Sequence, residues 1–139
     1  MKDELVRFLT QAGHETLDLG TNSSEAVDYP DAAEAVALAI REGRAERGII
    51  VCGSGAGVSV AANKVPGIRA AVCHDCYTAH QAVEHDDLNV LCLGSRVVGM
   101  AVAFEIVAAF LAASYSGESR HARRLNKVLS IESRYLSTK

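Results

Sequence analysis

Apolar and polar positions along the chain fall into blocks of two periodicities. "KDELVRFLTQAG" sets Leu5, Phe8 and Leu9 at helical spacing and stops at Gly13, and the "ETLDLG" that follows predicts a short strand. After a polar loop, "SSEAVD", Pro30 behind Asp28 starts a helix that ends at Gly43. Beyond it the pattern predicts a buried strand in "RGIIVCG", a helix in "AGVSVAANK", a strand in "IRAAVCH", a helix in "CYTAHQAVEHD" and a strand in "LNVLCLG". Residues 99–114 form an almost wholly apolar helix. The tail, "SGESRHARRLNKVLSIESRYLSTK", is a charged amphipathic helix with Leu125, Val128 and Leu129 on one side and Arg120, Arg124 and Lys127 on another.

Strands that are continuous apolar runs, separated by helices, describe a parallel sheet covered on both faces. The expected class is therefore α/β: a Rossmann-like, doubly wound parallel sheet in three αβα layers, with a C-terminal helical tail. No internal repeat or linker divides the chain, so residues 1–139 read as a single domain. The run "VVGMAVAFEIVAAFLAA", 97–113, is short for a bilayer span and carries Gly99 and Glu105. It reads instead as a helix buried on most sides. A small domain cannot cover a helix all round, which predicts a second subunit against it.

Composition narrows the function. The 139 residues are 49% hydrophobic and 22% charged, enough to bury a core without disulfides or metal. A formal net charge of −3 argues against a broad nucleic-acid footprint, so any anion must be held by a local basic cluster. Cys52, Cys73, Cys76 and Cys92 lie in or beside apolar runs rather than at scaffold spacings, which fits reduced thiols in a cytoplasmic protein. "MKDELVRFL" is charged where a signal peptide would be apolar.

The chemistry gathers at a few places. In an open parallel sheet, ligands bind beyond the carboxyl ends of the strands. Cys52 stands at such an end, followed by Gly53, Ser54, Gly55, Ala56 and Gly57, a turn whose N–H groups suit an anion. The lysine and hydroxyl residue of a P-loop are absent, and a plain tight turn fits as well. Cys52 is either a packed strand residue or a base or nucleophile. Cys73 and Cys76 form a CxxC, but no second pair completes a zinc site and the context is not thioredoxin-like. His85, between a helix and the next strand, is expected at the active edge, where it would suit proton transfer. Arg120 and Arg124, four apart, share a helix face that could hold a phosphate, or are simply solvated.

Together these pieces resemble the type B ribose-5-phosphate isomerase family, which includes the galactose-6-phosphate isomerase subunits. The resemblance rests on four blocks in order: "GTNSSEAVDYPDAA", "IIVCGSGAGVSVAANKVPGIRAAVCHD", "EHDDLNVLCLGSRVVG" and "SRHARRLNKV". It implies an enzyme of carbohydrate metabolism that interconverts ribose 5-phosphate and ribulose 5-phosphate through a cis-enediolate. A six-carbon substrate such as allose or galactose 6-phosphate, or a non-catalytic sugar-phosphate-binding subunit, is the alternative. By the resemblance Cys52 would be the base, and the N–H groups of Gly53, Gly55, Ala56 and Gly57 would hold the enediolate. Ser54 would touch the sugar oxygens, Tyr29 would bind substrate, and His85 would help open the furanose ring with Asp86 beside it. Arg96, Arg120 and Arg124 would bind phosphate. The site would lie between two subunits of a homodimer or dimer of dimers, with no metal or organic cofactor, no nucleic acid and no membrane.

Two departures accompany the resemblance. The family opens with a strand ending in a Gly-x-Asp-His-Ala-Gly-like turn, which is not found here, so the sheet is expected to lack an interior strand. Asp86 stands where the family has asparagine, and a carboxylate cannot donate the hydrogen bond an amide can.

Overall fold

The computed structural model describes residues 1–21 and 27–136. Six helices and three strands follow one another as α1 (Lys2–Gln11), α2 (Tyr29–Arg41), β1 (Gly48–Cys52), α3 (Ala56–Ala62), β2 (Ala70–Val72), α4 (Cys76–Asp86), β3 (Val90–Gly94), α5 (Met100–Ala112) and α6 (Ser119–Leu136). The strands pair in parallel in the order β1-β3-β2, with Gly48 opposite Val90 and Cys52 opposite Gly94. Every residue of β3 is buried, because it is the central strand and helices cover both faces. On one face Leu91 and Leu93 pack with Leu5, Val83, Ile106 and Phe110 from α1, α4 and α5. On the other, Ile50, Val90 and Cys92 meet Ala33 and Ala37 of α2 and Val58 and Ala62 of α3. The three-layer α/β class expected from the pattern is thus present.

Small residues set the spacing of these layers. A Cβ on Gly48 would stand 2.4 Å from Val36 Cγ1, so glycine is what lets α2 lie down on β1. α4 begins at Asp75, whose carboxylate accepts the Thr78 N–H at 2.7 Å as an N-cap.

Three expectations need correction. Residues 15–20, read as a strand, form none; Leu17 is exposed, and Asp18 instead pairs with Lys2 at 3.1 Å. A strand needs a neighbour to take its backbone groups, and among the described residues no neighbour is there. The interior gap expected in the sheet is not seen among the described residues, where β1-β3-β2 is continuous with β1 at an edge. Finally, α5 buries Ala103, Ile106, Val107 and Phe110, yet Val102 and Ala108 on its far side are exposed in this protomer. The polar loop read at 23–28 lies largely outside the described residues.

Candidate functional site

β1 delivers Cys52 to the carboxyl edge of the sheet. The chain then turns through Gly55 at φ +82°, a left-handed conformation that glycine alone adopts freely. The turn brings the Gly55 N–H to 3.1 Å from Cys52 Sγ, which accepts from it, while Ser54 Oγ accepts from the Ala56 N–H at 3.2 Å. Because β3 is the neighbour of β1, the turn after β3 interlocks with this loop. The Ser95 N–H donates to the Cys52 carbonyl at 2.8 Å and the Arg96 N–H to the Gly53 carbonyl at 3.0 Å. A Cβ on Gly94 would fall 2.7 Å from the Ser54 carbonyl oxygen, so only glycine lets the two segments pack this closely. The Arg96 side chain lies along Gly53, and the Tyr29 ring lies on Gly57, where a Cβ would be 3.0 Å from it. The result is a cleft of about 420 Å³ lined by Tyr29, Cys52, Gly53, Ser54, Gly57, Arg96 and Val97. It combines a thiol, two hydroxyls, one guanidinium and the backbone of Gly53 and Gly57.

His85, Asp86, Arg120 and Arg124 are elsewhere. A helix that follows a parallel strand runs back against it, so the C-terminal end of α4 lies at the amino edge of the sheet. The Asp87 backbone carbonyl accordingly accepts from Arg69 Nε at 2.7 Å, just before β2 begins. The expectation of His85 at the same edge as Cys52 is therefore corrected. Its ring stacks on that of His121, with centroids 3.9 Å apart and planes 27° from parallel. His121 is 3% exposed, and its Nδ1 is 2.6 Å from Ser116 Oγ. Glu84 stands 3.5 Å from His85 Nε2 and 3.0 Å from His80 Nε2. Arg120 and Arg124 occupy the first turns of α6 beside this histidine pair, with Arg120 Nε on Glu118 at 3.1 Å. Asp86 is the exposed last residue of α4. A second groove, about 440 Å³, runs along α4 from Cys76 to His85.

Sequence reasoning missed His121 and Val97. A histidine between two arginines on a charged helix looks solvated, and only the stacking on His85 shows otherwise. Val97 carries no chemical signature at all.

All four cysteines are free thiols. Burial pushes the Cys73 thiol up to about 11, with the Asp75 carboxylate adding to it, and burial pushes Cys92 up to about 12, with Cys52 and Cys73 contributing. A raised thiol disfavours the thiolate that a redox CxxC sulfur uses. Among the described residues no cluster of His, Cys, Asp and Glu could hold a metal, and no helix is long and apolar enough to cross a membrane.

With this geometry described, comparison with known proteins is direct. A sequence profile of the family described as Ribose/Galactose Isomerase matches residues 1–128. Ribose-5-phosphate isomerase B of Escherichia coli is 48% identical over 134 residues, which cover 96% of this chain and 89% of that protein. The structure of Clostridium thermocellum ribose-5-phosphate isomerase B is similar with a TM-score of 0.93 at 50% identity, over 96% of this chain and 90% of that one. A Mycoplasma genitalium ribose-5-phosphate isomerase B crystallised with ribulose-5-phosphate gives a TM-score of 0.89 at 40% identity, over 95% and 88% of the two chains.

Proposed function

The chain belongs to the ribose/galactose isomerase family, and from that premise we propose that it interconverts ribose 5-phosphate and ribulose 5-phosphate by proton transfer at the Cys52 cleft. One observation carries this reading: Cys52 Sγ stands on a glycine loop in a cleft walled by Tyr29, Ser54 and Arg96, in a fold shared with a protein that holds ribulose-5-phosphate. The open-chain aldose presents its C2–H to the sulfur. Cys52 takes that proton, leaving a cis-enediolate whose oxygen charge the loop amides meet, and returns it to C1. The hydroxyl proton passes from O2 to O1 in the same exchange, with Ser54 and Tyr29 within reach of the sugar oxygens. Arg96 meets the phosphate.

His85, Arg120 and Arg124 lie at the opposite edge of the sheet, so they serve this cleft only from a second copy. We place them there, in a homodimer or dimer of dimers with shared sites. His85 of the second copy opens the furanose ring and Arg120 and Arg124 of that copy grip the phosphate. The exposed apolar positions Val102 on α5 and Val128 and Ile131 on α6 support the pairing. A small phosphorylated metabolite as substrate also supports a cytoplasmic location. Six-carbon sugar phosphates are not favoured, because the named relatives act on the pentose phosphate.

The test is Cys52→Ala, assayed for isomerisation and for washout of the C2 proton into solvent. We expect turnover to fall by about a thousand-fold, the scale of a lost acid–base group, with KM within a few-fold of the parent. If more than a tenth of the proton exchange survives, Cys52 is not the base. Parallel assays with allose and galactose 6-phosphates decide substrate length, and phosphate binding with no turnover on any sugar would indicate a binding subunit.

A further inference from the structure

The "CHDC" motif contains a residue that neither a redox nor a metal role explains. His74 follows β2 at the carboxyl edge, and its Nε2 accepts the Gly94 N–H at 2.9 Å. The ladder shows why a side chain is needed there. Along β3 the groups facing β2 alternate: the Val90 N–H donates to the Arg69 carbonyl, and the Cys92 carbonyl accepts from the Cys73 N–H. Gly94 is next in that series, but β2 has already ended at Val72, and Gly94 is buried. A buried N–H without an acceptor is costly, and the His74 ring supplies the acceptor that the strand no longer does. To accept, Nε2 must be unprotonated, with the ring proton on Nδ1.

Gly94 is no ordinary strand end. It lies directly beneath Ser54, and the next two residues tie back to the Cys52 and Gly53 carbonyls. Holding Gly94 therefore holds both the amide loop around Cys52 and the turn that presents Arg96. We propose that His74 is a positioning residue for the isomerase cleft, fixing the glycine loop through Gly94 without touching substrate. The proposal rests on the isomerase function argued above, while its bond can be tested without turnover.

Two variants separate position from bulk. His74→Gln offers an amide oxygen near the place of Nε2, whereas His74→Leu fills the space with no acceptor. We expect His74→Leu to lower kcat on ribose 5-phosphate by about 10-fold or more, as for loss of alignment at a reacting centre, with KM changed less than about 3-fold. His74→Gln should recover most of that loss. Equal damage by both variants, or a kcat within about 3-fold in His74→Leu, overturns the proposal. NMR of the parent protein gives an activity-independent arm: His74 should show an unprotonated Nε2, and the Gly94 amide should exchange more slowly in the parent and His74→Gln than in His74→Leu. A protonated Nε2, or a fast-exchanging Gly94 amide in the parent, overturns it even if His74→Leu fails to fold. Absent turnover with the bond intact would instead overturn the isomerase function alone.

Discussion

Cys52 and Cys92 face each other's strands two residues apart in register, yet they differ in kind because one has a cleft above it and the other has none. Cys73 and Cys92 are buried, and burial raises both thiols far above neutral pH; Cys76 is exposed at the start of α4, and Cys52 is half-buried at the cleft. Brief alkylation of the native protein near pH 7.5, read by peptide mass spectrometry, should therefore label Cys76 and Cys52 and spare Cys73 and Cys92. Thiolate is the reactive form, so labelling of the buried pair should appear only as pH rises toward their raised values or as the protein unfolds. Asp86 gives a second prediction at this scale. Presented to the cleft by a second copy beside His85, its carboxylate cannot donate to a sugar oxygen and would repel the enediolate, so Asp86→Asn should raise kcat/KM by about 3- to 10-fold, the worth of a hydrogen bond of roughly 1 kcal/mol. An equal or lower kcat/KM would remove Asp86 from the site.

α5 owes its C-terminal end to a residue far away in sequence. α5 ends without a glycine, and its last carbonyls are taken by Arg47: Nη1 donates to Phe110 and Nη2 to Ala113 at 2.7 Å, with the guanidinium 5.3 Å above the Phe110 ring. A cation at a helix C-terminus also opposes the negative end of the helix dipole. Arg47→Met keeps the aliphatic stem but strands these carbonyls, and should cost about 2 kcal/mol in urea unfolding with the denaturant slope unchanged. A loss under about 0.5 kcal/mol would mean that water replaces the guanidinium. α6 shows the opposite case. Its periodicity was legible, but among the described residues the helix buries only His121 in this protomer, because the apolar side at Val128 and Ile131 finds no partner among them. Its Glu132 carboxylate accepts the Gly67 N–H at 3.1 Å, which lays the tail across the amino edge of the sheet.

At the scale of the molecule, the proposed site exists as two halves at opposite ends of one sheet. Neither half contains the whole proposed constellation: Cys52, Tyr29, Ser54 and Arg96 lack the histidine proposed to open the ring, and His85, Arg120 and Arg124 lack the proposed base. A complementation experiment follows. Cys52→Ala and His85→Ala should each be nearly inactive alone. Unfolded together and refolded as a mixture, they should recover about a quarter of parental activity, since half the dimers are mixed and each mixed dimer carries one intact site. No recovery, with mixed dimers confirmed by mass, would show that both residues serve one cleft within a protomer, and full activity of His85→Ala by itself would show that His85 is not needed.

The sequence by itself determined the layers and the chemistry of the cleft. Apolar runs of strand length and the run from Cys52 through Gly57 are local patterns, and local patterns report helix, strand and turn wherever a partner is there to receive them. The order of strands and helices even implied that His85 must sit at the amino edge, an inference the proximity of residues 85–90 to a strand obscured. What only the tertiary structure decided concerns partners that are distant along the chain. Whether residues 15–20 form a strand depends on a neighbouring backbone, whether His121 is solvated depends on where α6 meets α4, and what His74 does depends on β3 outrunning β2. Hydrogen bonds and burial are properties of pairs, and no single-chain periodicity records which pairs the fold will bring together.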